Sequence, residues 1–269
     1  MISVICRTSA HRLAIQALCG LAAVAISPQG RGEIRILAVT SSASFVPGLP
    51  APGSLATIFC AGLTGGLEVQ VTVDRFAAPV LAAADLGGYQ QINFQVPWEA
   101  QSATAVGIAQ GADAASFAVP LFPAWDVFFA NASGNAVAQH AADYTTITAD
   151  HPVRPGEWII AYATNLGPVA NQPPTGAPAP LDQISPVSPG LDSLSVLLQG
   201  EIVESNYIGL VAGTVGLYQV NLRVPDNFPG GNVQLRIQKS RFCGFFFVPG
   251  CGRGLTLSFS VPVNLPVAP

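Results

Sequence analysis

The sequence predicts an all-β protein built from two tandem β-sandwiches. The first observation is a repeat: Gly88-Tyr89-Gln90-Gln91-Ile92-Asn93-Phe94-Gln95-Val96-Pro97 returns 128 residues later as Gly216-Leu217-Tyr218-Gln219-Val220-Asn221-Leu222-Arg223-Val224-Pro225. The second is alternation within each copy. Ile92, Phe94 and Val96 oppose Gln91, Asn93 and Gln95, and Val220, Leu222 and Val224 oppose Gln219, Asn221 and Arg223, which is the period of two of a half-buried strand. The third is punctuation. The 269 residues include 27 Gly and 23 Pro with no collagen-like period, and a Gly opens and a Pro closes each repeated strand.

Residues 1–25 read as a signal peptide. Arg7, His11 and Arg12 form a basic lead, Leu13 to Ile26 is almost entirely apolar, and Ala23-Val24-Ala25 offers small residues for cleavage. The apolar run is short for a membrane span, so the expectation is export to the periplasm, cell envelope or medium, with no transmembrane segment after cleavage.

Residues 26–122 form the expected first sandwich. Ile34–Val39 is a strand, Pro47–Gly53 a turn and Leu55–Cys60 the next strand. Val69–Val73 turns at Asp74-Arg75 and returns through Ala77–Ala83 as a hairpin. Gln91–Val96, Ala103–Ile108 and Ser116–Leu121 complete about seven short strands at regular spacing, the pattern of a sandwich.

Residues 123–269 repeat that order. Trp125–Phe129 and Ala136–His140 flank the turn Asn131-Ala132-Ser133-Gly134-Asn135. Pro155-Gly156 leads Trp158–Ala163, as Pro52-Gly53 leads Leu55–Cys60. Leu194–Leu198 turns at Gln199-Gly200 and returns through Ile202–Ile208. A Pro-rich insertion, 168–190, reads as an extended surface loop. Val233–Gln238 and Leu255–Val261 form the last hairpin, with a Cys-bounded loop at its tip.

These motifs, in order, carry a resemblance. Pro52-Gly53-Ser54-Leu55-Ala56-Thr57-Ile58-Phe59, Gln91-Ile92-Asn93-Phe94-Gln95-Val96-Pro97, Pro155-Gly156 with Tyr162-Ala163-Thr164-Asn165-Leu166-Gly167, and the second repeated strand together resemble an uncharacterised carboxy-terminal domain family. That family is abundant in exported proteins of acidobacteria of the Solibacter type. The resemblance covers about Ser41 to Val263 and implies tandem immunoglobulin-like modules of the IPT/TIG type. It implies no activity, cofactor or catalytic residue. Trp98-Glu99 and the Phe-rich Cys loop depart from the family pattern.

Composition narrows the function classes. Lys239 is the only lysine, and the formal charge is -4, so no basic stripe exists to neutralise nucleic-acid phosphates. Neither a nucleophile elbow nor a phosphate-binding Gly-rich loop with a following Lys is present. The reading is therefore non-enzymatic, with no catalytic set, cofactor or metal site. The expected partner is a protein or a polysaccharide.

Four groups of residues are candidates. Gln91, Asn93, Gln219 and Asn221, with Pro97 and Pro225 ending their strands, are read either as amides that bind a glycan or peptide edge, or as amides that bond neighbouring backbone; recurrence favours the structural role. The loop from Arg241 to Arg253 carries Phe242, Phe245, Phe246 and Phe247 between Cys243 and Cys251, which read as a loop-closing disulfide. This loop either docks a partner or packs over its own domain. His140, Asp143, Asp150 and His151 are the only His/Asp cluster; their spacing matches no zinc pattern, and a surface loop accounts for them. Cys60 reads as a buried small apolar residue. A self-assembling envelope component is the alternative function, and a hydrolase using residues 140–151 a third.

Overall fold

The computed structural model describes residues 33–64, 66–119, 125, 127–188, 190, 192–243 and 254–269. The expected signal peptide, residues 1–25, and the centre of the Cys loop lie outside them. All regular structure among the described residues is β, and no helix there is long and apolar enough to cross a membrane.

The first copy has eight strands: β1 (Arg35–Ser41), β2 (Leu55–Ala61), β3 (Gln70–Val73), β4 (Phe76–Ala78), β5 (Val80–Asp85), β6 (Gln90–Gln95), β7 (Ala105–Gln110) and β8 (Asp113–Ala118). They form two four-stranded antiparallel sheets, β1-β2-β6-β5 and β4-β3-β7-β8. Lettered in chain order, these are A-B-E-D and C′-C-F-G, the strand order of an immunoglobulin-like sandwich.

The second copy repeats that order with β9 (Ala138–His140), β10 (Trp158–Ala163), β11 (Asp192–Leu198), β12 (Glu201–Val203), β13 (Ser205–Leu210), β14 (Tyr218–Arg223), β15 (Gly231–Cys243), β16 (Gly254–Phe259) and β17 (Val263–Val267). Its sheets are β9-β10-β14-β13 and β12-β11-β15-β16, with β17 also on β15. Register is kept between copies. Leu55 faces Gln95 and Cys60 faces Gln90; at the repeat-related positions, Trp158 faces Arg223 and Ala163 faces Tyr218. The inward residues are the alternating ones. Ile58, Ile92 and Phe94 in one copy, and Ile159, Val220 and Leu222 in the other, are fully buried.

Three expectations are corrected. The strand Ala77–Ala83 is two strands: β4 pairs β3 in one sheet, β5 pairs β6 in the other, and Pro79, which has no N–H to donate to a ladder, lies at the switch. Leu255–Val261 is not one strand. Three residues, 260–262, oppose two on β15, and Ser260 Oγ accepts from Ile237 N at 2.9 Å, so a bulge divides β16 from β17. The Pro-rich insertion is packed rather than extended. Ala179 and Ser185 are buried, Val169 bridges Val187, and Pro186 bridges Gly209 along the edge of β13.

The two sandwiches belong to one compact unit, Gly32–Pro269. Residues next to the start of β2 and the end of β10 build the junction. Leu55 N donates to Thr164 Oγ1 at 2.8 Å, Ala51 N to Asn165 Oδ1 at 2.9 Å, and Asn165 N to Ser54 Oγ at 3.1 Å. The insertion adds a strap: Gly176 N donates to Gln95 Oε1 at 2.7 Å and Trp98 N to Thr175 Oγ1 at 3.0 Å. Trp98 lies in the buried cluster of the second copy, its ring where a Cβ on Gly53 would stand.

Candidate functional site

The outer faces of the A-B-E-D sheets carry the repeated amides. In β6, Ile92 and Phe94 point into the core, so Gln91 and Asn93 emerge on the other side, half-buried. Gln91 Nε2 donates to Asn93 Oδ1 at 3.0 Å, and Thr57 Oγ1 donates to the same oxygen at 2.9 Å. Ser42 and Thr57 hydroxyls meet at 2.9 Å, which extends the polar row to the neighbouring turn. In β14, Gln219 Nε2 donates to Asn221 Oδ1 at 3.1 Å, the same bond in the same sense. These side-chain amides bond each other, not the backbone bonding expected from the sequence.

A second repeated feature lies beside them and has no sequence signature. After β1 the chain turns, Phe45 N donating to Ser41 O at 3.0 Å and Ser41 N to Val46 O at 3.1 Å. After β9 it makes the same turn, Tyr144 N donating to His140 O at 2.9 Å and His140 N to Thr145 O at 3.0 Å. Ser44 Oγ accepts from Val46 N in one copy and Asp143 Oδ1 from Thr145 N in the other. Both turns hold an aromatic residue in the left-handed region, Phe45 at φ 58° and Tyr144 at φ 60°. A bulky side chain there costs on the order of 1–3 kcal/mol, so its recurrence demands a reason. Both rings are exposed, Phe45 by 37 % and Tyr144 by 65 %.

In the first copy the turn ring continues into a row. Phe45 and Phe59 centroids lie 5.8 Å apart, and Phe59 and Tyr89 6.1 Å apart, edge to face. In register, Phe59 faces Gln91 from β2 and Ala84 faces it from β5. In the second copy Tyr162 takes the place of Phe59 and faces Gln219. Burial and the nearby Tyr144 push the Tyr162 phenol up, and its O–H donates to Gln139 Oε1 at 2.6 Å. Each copy therefore presents aromatic rings next to an amide pair.

The remaining candidates resolve separately. His140 is a buried residue of β9, not part of a surface loop; its Nδ1 meets Glu157 Oε1 at 2.5 Å. Thr145 holds the Asp143 carboxyl below the usual range through its O–H and N–H, so Asp143 caps the aromatic turn. No group of three or more metal-ligating side chains is found among the described residues. Arg241 is bonded within the chain, through Nε and Nη2 to the two oxygens of Asp192 on β11, and this pair holds the Asp192 carboxyl down. Phe242 and Cys243 end β15 with side chains outside the described set, as are Phe245, Phe246, Phe247, Cys251 and Arg253. Pro97 and Pro225 follow β6 and β14 and accept turn bonds from Ala100 N and Phe228 N. A depression of about 380 Å³ on the outer face of β3, β7 and β8 is lined by small residues with Gln70, Thr72 and Asp74, without an aromatic ring.

No protein-family profile and no curated protein matches the chain. Among solved structures, it is similar to a surface glycan-binding protein, PbSGBP-B from Prevotella bryantii, at 10% identity and a TM-score of 0.27, over 86% of this chain and 42% of that one. The chain thus spans under half the length of that protein. It is also similar to the titin domains Z1Z2 in complex with telethonin, at 10% identity and a TM-score of 0.22, over 90% of this chain and 100% of that one. The immunoglobulin-like character of the chain rests on its own strand order, A-B-E-D over C′-C-F-G, present twice.

Proposed function

We propose that the protein is an exported, non-enzymatic, immunoglobulin-like module that binds a polysaccharide through the outer faces of its A-B-E-D sheets. One observation carries the reading: in both copies an exposed aromatic residue held at positive φ lies near a second ring, Phe59 or Tyr162, that faces the Gln of a Gln–Asn pair. Sugars offer an apolar C–H face that stacks on rings and hydroxyls that bond amides, so rings and amides on one surface suit them. A scaffold role needs neither an exposed ring nor a strained backbone.

Affinity electrophoresis through gels containing neutral polysaccharides tests it. The Phe45→Gly/Tyr144→Gly variant removes both rings and relaxes both turns, because Gly adopts positive φ without steric strain, which offsets its larger loss of backbone entropy. The expected result is retardation of the wild type and loss of retardation in the variant, with unchanged melting temperature. Equal migration of both proteins in every gel rejects the reading. A second reading, self-assembly in the cell envelope, draws on edge strand β16, where Leu255, Leu257 and Phe259 are exposed. Concentration-dependent sedimentation of the wild type, abolished by Leu257→Lys, would favour it.

A further inference from the structure

We infer that the chain carries two corresponding sites for an uncharged sugar chain, one on each copy, and that both grip a single polymer. This deepens the proposed function and rests on it.

The ligand chemistry follows from what the amides leave open. In each copy Gln Nε2 and Asn Oδ1 are used by one another. Gln91 Oε1 and Asn93 Nδ2, like Gln219 Oε1 and Asn221 Nδ2, have no protein partner among the described residues. Each face thus offers one acceptor and one donor, set two residues apart on one strand. Neighbouring hydroxyls of a sugar ring satisfy that pair, one donating and one accepting. Access differs between faces. Beside Gln91 and Asn93 the adjoining strand has Ala84 and Ala82; beside Gln219 and Asn221 it has Gly209 and Tyr207.

The residues named on the first face, Ser42, Phe45, Phe59, Tyr89, Gln91 and Asn93, are uncharged; on the second, Gln139, Tyr144, Tyr162, Gln219 and Asn221 are uncharged but adjoin the Asp143 carboxylate beside Tyr144 and Arg223, which follows Asn221 on the same side of β14 and is paired with Asp226. An anionic polymer would meet a guanidinium already paired with Asp226, the nearby Asp143 carboxylate, and a formal -4 on the chain that repels it. A neutral chain meets none of these obstacles.

Bivalence needs the two copies to be held together, and the junction holds them. Thr164, Ser54 and Gln95 are fully buried, and their bonds tie the copies into one unit. Once one face holds a polymer, the second contact is intramolecular, at an effective concentration set by the fixed spacing of the faces. A short oligosaccharide fills each face separately and gains nothing from the other.

Isothermal titration with gluco-, xylo- and manno-hexasaccharides, and with hydroxyethyl cellulose, arabinoxylan and galactomannan, tests the inference. Wild type is compared with Phe45→Gly/Gln91→Ala and with Tyr144→Gly/Gln219→Ala, after near-ultraviolet circular dichroism shows that all three are folded. The expected stoichiometry is two hexasaccharides per wild-type chain and one per chain of either variant. The matching polymer should bind on the order of a hundredfold tighter than the hexasaccharide to wild type, and that gain should vanish in both variants. One hexasaccharide per wild-type chain, lost in one variant and unchanged in the other, overturns bivalence but leaves the proposed function standing. No binding of any probe overturns both.

Discussion

Cys60 lies in β2 between Phe59, which emerges on the outer face, and Ala61, with its own side chain fully buried. Burial pushes its thiol up to about 11, so almost no thiolate forms at pH 8 and the nucleophile needed for alkylation is missing. Iodoacetamide at pH 8 should therefore leave Cys60 unmodified in the folded protein and label it fully in guanidinium, read by peptide mass mapping. Labelling of the folded protein at the rate of a free thiol would mean that β2 opens readily. Ala163 holds the same place in the second copy and faces Tyr218 as Cys60 faces Gln90. The position therefore asks for a small side chain under the sheet and makes no use of sulfur chemistry.

Strand ends decide how the copies join. Thr164 follows β10 directly, and its Oγ1 accepts from Leu55 N and donates to Gly216 O. Thr164→Val keeps the shape but leaves a buried N–H and a C=O without that partner, which costs about 1–3 kcal/mol. Urea unfolding should show this loss in midpoint with little change in slope, and Thr164→Ser should restore most of it. A neutral Thr164→Val would mean that water replaces the hydroxyl. The strands themselves were legible in the sequence, because alternation over Ile92–Val96 and Val220–Val224 fixes which residues turn inward, and a one-residue slip would expose them all. The sheet change at Pro79 was not, since β4 and β5 read as one continuous apolar run and the switch is made by pairing partners distant in sequence. The aromatic turns were hidden for a different reason. Ser41 to Val46 and His140 to Thr145 share backbone hydrogen bonds and φ angles but almost no residue identities, so a repeat of conformation left no repeat of letters. The Gln–Asn pairs were visible as motifs, yet whether they face backbone or each other depends on side-chain positions that alternation alone does not specify.

At the scale of the whole molecule, the two copies differ most tellingly where they meet. The end of the first copy that meets the second has Gly53, Gln95 and Trp98. The repeat-related residues of the second copy are Gly156, Arg223 and Asp226, where Arg223 Nη2 pairs Asp226 Oδ1 at 2.7 Å in an exposed ion pair. The receiving end of the second copy has Thr164 and Asn165; the related residues of the first are Ala61 and Gly62, which carry no side-chain hydrogen-bonding group. One backbone scaffold thus holds a buried, bonded end at the junction and plain or charged ends away from it, as repeat arrays do when a neighbour covers one face and water the other. Exchanging the two sets tests whether these residues alone couple the copies. Gln95→Arg/Trp98→Asp gives the first copy the solvent-type end, placing a charge where Trp98 now lies among buried apolar residues of its neighbour. Wild type should unfold in a single calorimetric transition with matching calorimetric and van't Hoff enthalpies. The exchanged variant should show two transitions, each with the heat of one sandwich, because the cores of the copies are separate clusters joined mainly through this end. A single transition in the variant would mean that the Pro-rich strap and Thr164 hold the copies together without Trp98. That result would also preserve the fixed spacing on which bivalent binding depends, whereas two transitions should come with loss of the affinity gain for polymer and no change in hexasaccharide stoichiometry.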